Sequence, residues 1–158
     1  RYIFDGGFKV SSLNAREALY NGGHQPLHAD WKKPRPDFPK VHLVNTIWAI
    51  DDLYAANGAP RIIPATHLRP ELPEEVLDDV GKPHPDEVIF EAPAGSVMIY
   101  NAHAWHGGTT NREGSRRRVL HGLYIDRADA AQQDQQRWLT PETASRLTPA
   151  QKWLLDVE

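Results

Sequence analysis

Cysteine is absent from all 158 residues of the chain. There can be no disulfide, no thiolate metal site and no thiol nucleophile, so any metal must be held by histidine, aspartate or glutamate. Long apolar runs are missing too. No stretch of about 18 apolar residues is present, which excludes an ordinary membrane-spanning helix. Nor is there an excess of charge of one sign. The formal net charge is −3, and the one dense basic run, Arg116-Arg117-Arg118, lies in an apolar setting rather than in a basic tail, which speaks against nucleic acid as a partner. The opening residues, Arg1-Tyr2-Ile3-Phe4, carry no secretory signal and no initiating methionine. The chain is expected to be a piece of a longer protein, in the cytoplasm, whose reducing conditions are compatible with a chain that has no disulfide.

What the chain does have is a succession of short apolar runs rich in Val, Ile, Tyr and Trp, broken by Gly, Pro, Asn and Asp. Strands are expected near Phe8–Leu13, Gln25–Trp31, Val41–Ile50, Arg61–Ile63, Glu87–Glu91, Ser96–Asn101 and Arg117–Ile125, with a weaker one at Tyr2–Phe4. Asn21-Gly22-Gly23, Asn57-Gly58, Pro93-Ala94-Gly95 and Gly107-Gly108 supply the turns. So many short strands predict a mostly β sandwich or jelly roll. Pro70 to Pro85 reads as a lid or surface insertion, because its prolines interrupt both helix and sheet. After Asp126 the composition turns to Ala, Gln, Arg and Glu, good helix formers, and a helical tail is expected. Ala128–Trp138 is one candidate helix, and Thr140-Pro141 and Thr148-Pro149 each place a capping hydroxyl before a helix-opening proline. The length suits one domain, a jelly roll over about 1–126 followed by the tail over about 127–158.

Three stretches carry chemistry. In Gln25-Pro26-Leu27-His28-Ala29-Asp30-Trp31, the histidine and aspartate stand two positions apart, so an extended backbone points both to one face. His103-Ala104-Trp105-His106-Gly107-Gly108 follows an apolar strand and ends in a glycine turn, where a histidine can complete a three-ligand site. Two histidines and a carboxylate with open positions opposite suit non-haem Fe(II), and zinc takes the same ligands. His103 and His106 both qualify at this point. The third stretch, Ser115-Arg116-Arg117-Arg118-Val119-Leu120, places arginine in a strand, where it is costly unless an anion pairs with it. By alternation Arg116 and Arg118 should face away from Arg117, while His121 shares its parity.

Together these residues resemble the phytanoyl-CoA dioxygenase family of Fe(II)/2-oxoglutarate oxygenases. The resemblance rests on Gln25, His28-x-Asp30, Trp48, Asn57-Gly58, Ile63-Pro64-Ala65-Thr66-His67, His106-Gly107 and Arg117, over roughly residues 25 to 125. In that family the arginine follows the second histidine by eleven residues. Counting back from Arg117 gives His106, whereas eleven from His103 gives Gly114. The resemblance implies a double-stranded β-helix, a cupin-like jelly roll. It implies iron held by His28, Asp30 and His106, and 2-oxoglutarate held by Arg117, with Gln25, Trp48 and Thr109 as further contacts. Dioxygen and a small organic substrate complete the set, and succinate and carbon dioxide leave. Asp30 stands where related halogenases carry a small residue, which favours hydroxylation or another oxidation. Ala65-Thr66 replaces a common Gly-Ser, and Gly108 stands where a hydroxyl is frequent. Rival readings are a cupin-like metal-dependent hydrolase or isomerase and a ligand-binding jelly roll without catalysis.

Overall fold

The computed structural model describes residues 3, 4, 6–31 and 40–158. Four antiparallel strands form the larger sheet: β1 (Phe8–Glu17), β2 (Leu43–Ala49), β5 (Val97–Asn101) and β7 (Arg118–Asp126), in the order β1-β7-β2-β5. A smaller antiparallel sheet contains β3 (Pro60–Ile62), β4 (Val88–Ile89) and β6 (His106–Gly108), in the order β4-β3-β6. Ile47 and Ala49 of β2, Tyr100 of β5 and Val119 of β7 form a buried cluster, against which Ile62 of β3 and Ile89 of β4 pack. The two sheets thus share a core, and the architecture is the mostly β jelly roll read from the strand pattern.

Strand alternation decides what faces that core. On β7, Val119, His121, Leu123 and Ile125 are buried, and between them Leu120 is exposed. Arg118 points outward and makes a two-pronged pair with Asp51, Nε to Oδ2 at 2.8 Å and Nη2 to Oδ1 at 2.7 Å. That pairing holds the Asp51 carboxyl down to about 2, chiefly through the Arg118 hydrogen bond.

The segment Gln25–Trp31 differs from expectation. It is extended but forms only one bridge, His28 to His106. Pro26 offers no N–H, and the other donors go to different partners: Gln25 to Gly108, Leu27 to Val80, His28 to His106 and Asp30 to Ala102. A continuous ladder is therefore impossible, yet the alternation survives, with Leu27, Ala29 and Trp31 buried on one side. The weaker strand is not found. Tyr2 lies outside the described residues, and Ile3 and Phe4 are not in a sheet.

The stretch from Pro70 to Pro85, expected as a lid or surface insertion, packs on the core through a few apolar side chains. A short helix, α1 (Pro73–Val76), is flanked by Leu72, Leu77 and Val80, which pack on the cluster of Leu27, Ala29, Ile63 and Trp105. This wedge backs the His28–Asp30 segment. In the tail, α2 (Gln135–Trp138), α3 (Pro141–Arg146) and α4 (Pro149–Leu155) form. Thr140 and Thr148 accept from the amides of Thr143 and Gln151, the capping read from the sequence. α2 begins only at Gln135 because the preceding chain is tied to β1: the Gln132 amide donates to Ser11 Oγ and the Gln133 amide to the Ser11 carbonyl. Among the described residues, no helix is long and apolar enough to cross a membrane.

Candidate active site

β6 is the hinge of the site. It pairs with β3 on one side, Ile62 opposite His106, and receives the His28 bridge on the other. The two glycines after His106 make this possible. A Cβ on Gly107 would sit 2.6 Å from the Gln25 carbonyl oxygen, and one on Gly108 would collide with the carbonyl oxygen of Gly23. Only glycine lets the His28 segment come this close.

His28, Asp30 and His106 are thereby brought together, with one ligand atom from each lying within 4.8 Å of the others. The carboxylate is between the rings: Oδ1 is 3.6 Å from His28 Nε2, and Oδ2 is 3.5 Å from His106 Nε2. Both rings are oriented by their own backbone. His28 Nδ1 lies 2.8 Å from the Pro26 carbonyl and His106 Nδ1 lies 3.0 Å from the Ala104 carbonyl. A carbonyl only accepts, so Nδ1 carries a proton in each ring, and Nε2 is the nitrogen that faces Asp30. Asn45, inward-facing on β2, donates from Nδ2 to Asp30 Oδ2 at 2.6 Å. Burial acts to raise the Asp30 pKa, but hydrogen bonding and charge from His106, the Asn45 amide and His28 outweigh it and hold the carboxyl well below the usual range. The aspartate is ionised at neutral pH. Two imidazole nitrogens and a carboxylate oxygen, converging with their other atoms tied down, fit a divalent transition metal.

These residues open onto a cavity of about 170 Å³. Arg117 lines it, immediately before β7, together with Gln25, Arg16, Tyr100 and His121. Arg117 is 8 % exposed and its Nε has no hydrogen-bond partner. Burial, and then the neighbouring Arg16, lower its pKa to about 10, so it stays a cation at neutral pH. Tyr100 is driven the other way, above its ordinary value, first by burial and then by the Asp30 charge. A buried guanidinium facing a cavity that also holds the cluster is built for an anion.

Two expected contacts are not among the residues that line this cavity. Trp48 does not reach this cavity. Asn45 and Ile47 of β2 face inward, so Trp48, one residue on, faces out; it is 45 % exposed, donates to Thr46 Oγ1 and lines a separate apolar groove with Phe8, Ile99 and Tyr124. Thr109 is committed elsewhere, its hydroxyl donating to the Ala59 carbonyl at 2.7 Å. His103 is buried away from the cluster, edge-on to Trp31. Arg61 braces the site from behind, donating to the carbonyls of Gln25 and Lys82 and to Glu87. Lys32, Lys33 and Arg35, read as a basic loop near the entrance, lie outside the described residues. Sequence reading missed Asn45, Tyr100 and Arg16. The signal for Asn45 was a polar residue amid the apolar run Leu43-Val44-Asn45-Thr46-Ile47, since a buried amide needs a partner.

A family model for phytanoyl-CoA dioxygenase (PhyH) matches residues 12–119. Dioxygenase aneA of Aspergillus aculeatus is 26 % identical over 147 residues, covering 92 % of this chain and 47 % of its own length. Dioxygenase af480 of Aspergillus fumigatus is 29 % identical over 118 residues, covering 73 % of this chain and 37 % of its own. The chain thus spans less than half the length of these relatives. Among solved structures, the apo form of the non-heme monooxygenase ThoJ superposes with a TM-score of 0.66 at 20 % identity, covering 84 % of this chain and 52 % of ThoJ. HygX from Streptomyces hygroscopicus, with nickel and 2-oxoglutarate bound, does so with a TM-score of 0.65 at 12 % identity, covering 82 % of this chain and 60 % of HygX. Those two likenesses concern the fold. The family match runs from β1 into β7 and takes in every residue named at the cavity except His121, and on it the chain belongs to the phytanoyl-CoA dioxygenase (PhyH) family.

Proposed function

We propose that residues 1–158 are the core of an Fe(II)- and 2-oxoglutarate-dependent oxygenase that hydroxylates, or otherwise oxidises, a small organic substrate. One observation carries the reading: three metal-ligand atoms within 4.8 Å share a cavity with a buried arginine whose Nε has no hydrogen-bond partner among the described residues. HygX, of like fold, holds nickel and 2-oxoglutarate, in keeping with a metal and this co-substrate.

In this reading His28 and His106 offer Nε2 and Asp30 a carboxylate oxygen to the ion. Asn45 and the carbonyls of Pro26 and Ala104 keep the three side chains in place, and the opposite positions stay open. Bound iron supplies the redox chemistry by which dioxygen and 2-oxoglutarate become succinate, carbon dioxide and an oxygen delivered to substrate. Arg117 pairs with the far carboxylate, which fixes the co-substrate's reach to the ion. Gln25, beside Arg117 on the cavity wall, adds an amide contact to the same molecule. Ile47, Met98 and Val119 make part of the wall apolar and keep water from that side. A cysteine-free chain needs no oxidising compartment, and the cytoplasm is the setting we assign.

The test is spectroscopic. Anaerobic protein given Fe(II) and 2-oxoglutarate should show a weak visible metal-to-ligand band, and air should then release succinate. Asp30→Ala should show neither. A folded wild-type protein lacking both signals overturns the oxygenase reading.

A further inference from the structure

The inner face of β7 carries one polar side chain that no contact yet explains. His121 is 6 % exposed and lines the cavity, and among the described residues neither of its ring nitrogens has a hydrogen-bond partner. Its neighbours across the sheet do not supply one. On β2 it faces Ile47, and on β1 it faces Asn14, whose amide is engaged with Ser12 and Gln133. A buried imidazole with both nitrogens unsatisfied is costly, so a partner is to be sought in the cavity itself.

The register says which part of the cavity. Asn45, which holds Asp30, is opposite Leu123; His121 is opposite Ile47, one inward position along; Val119 is opposite Ala49; and Arg117 comes after that. His121 therefore stands between the metal-ligand end and the arginine end, nearer the former. A diacid reaching from one end to the other must pass it.

Resting on the co-substrate reading above, we propose that His121 donates a ring N–H hydrogen bond to an oxygen at the metal-bound end of 2-oxoglutarate, acting as a positioning residue for that molecule. Burial, then the adjacent Arg16, depress its pKa to about 4, which keeps the ring neutral at pH 7, one nitrogen donating. A neutral donor suits this place. It orients the oxygen without adding a third cation to the two guanidinium groups of Arg16 and Arg117 that already line the cavity.

Zinc, which has no redox chemistry of its own, allows the test without turnover. Calorimetric titration of zinc-loaded protein with 2-oxoglutarate should give a dissociation constant about tenfold higher in His121→Phe, the scale of one hydrogen bond to a charged group. His121→Gln, which keeps a donor, should recover most of the loss, and zinc affinity without 2-oxoglutarate should be the same in all three proteins. In the anaerobic Fe(II) complex, the visible band should move in the Phe variant and return towards its wild-type position in the Gln variant. Folding of the variants does not limit the experiment, since ¹⁵N-histidine spectra of the zinc-loaded wild type should show the His121 ring nitrogens shifting on addition of 2-oxoglutarate. Equal affinity in wild type and His121→Phe, or unmoved His121 resonances on binding, overturns the proposal alone. Zinc-loaded wild type that takes up no 2-oxoglutarate overturns the underlying co-substrate reading and this proposal with it.

Discussion

Asn45 and His121 are buried polar residues on the inner face of one sheet, and their different surroundings give them different consequences. Asn45 Nδ2 holds Asp30 Oδ2 at 2.6 Å, so its loss frees one carboxylate oxygen to rotate. Asn45→Leu should weaken nickel or zinc binding by roughly 10- to 100-fold, read by competition with a chromophoric chelator; unchanged affinity would mean the amide does not orient the ligand. His121 instead leaves a signature in pH. Its folded pKa lies near 4, lowered by burial first, whereas an unfolded histidine titrates near 6.5. Between those values the unfolded chain binds more protons, so stability is full above about 6.5 and falls as pH drops towards 4, by up to roughly 3 kcal/mol for complete titration. In metal-free protein, the drop in Tm between pH 7 and pH 4.5 should be smaller in His121→Phe than in wild type.

Elements meet at β6, and their closeness depends on Gly107 and Gly108. Both approach backbone oxygens, Gln25 and Gly23, that cannot swing aside as a side chain would. Gly108→Ala should therefore cost roughly 1–3 kcal/mol in denaturant unfolding and should weaken metal binding as well, because the His28 segment must back away from His106. A variant as stable and as metal-avid as wild type would show that the segment has slack. The same close approach accounts for the departure at Gly108. A hydroxyl-bearing residue there has no room, and the nearby Thr109 hydroxyl turns to Ala59. The wedge around α1 backs this region, with Leu72, Leu77 and Val80 packed on Leu27 and Ala29, which alternate with His28 and Asp30.

At the scale of the whole molecule, a metal ion would tie the extended segment at His28–Asp30 to β6, stretches far apart in the chain. Binding only the folded state, zinc at about 100 times its dissociation constant should stabilise the protein by about 2.7 kcal/mol, seen as a rise in Tm that a chelator reverses and that Asp30→Ala abolishes. Local signals in the chain were sufficient for much of this. Short apolar runs rich in Val, Ile, Tyr and Trp marked β1 to β5 and β7, though not β6, where Gly107-Gly108 read as a turn; Thr-Pro pairs marked the last two helix starts, and His-x-Asp with His106 and Arg117 the side chains that the fold brings to one cavity. Local signals could not reveal that Gln25–Trp31 forms no ladder, because that depends on which distant carbonyls its amides meet. They could not show that Gln132 and Gln133 are tied to Ser11 ahead of α2, or that Trp48 turns outward while Asn45 turns in. Side-chain type and spacing are properties of the chain alone, so the sequence by itself determined most of the strand pattern and the candidate ligands. Which face of a strand meets the cavity, and which buried polar group finds a partner, depends on residues remote in sequence, and only the tertiary structure decided it.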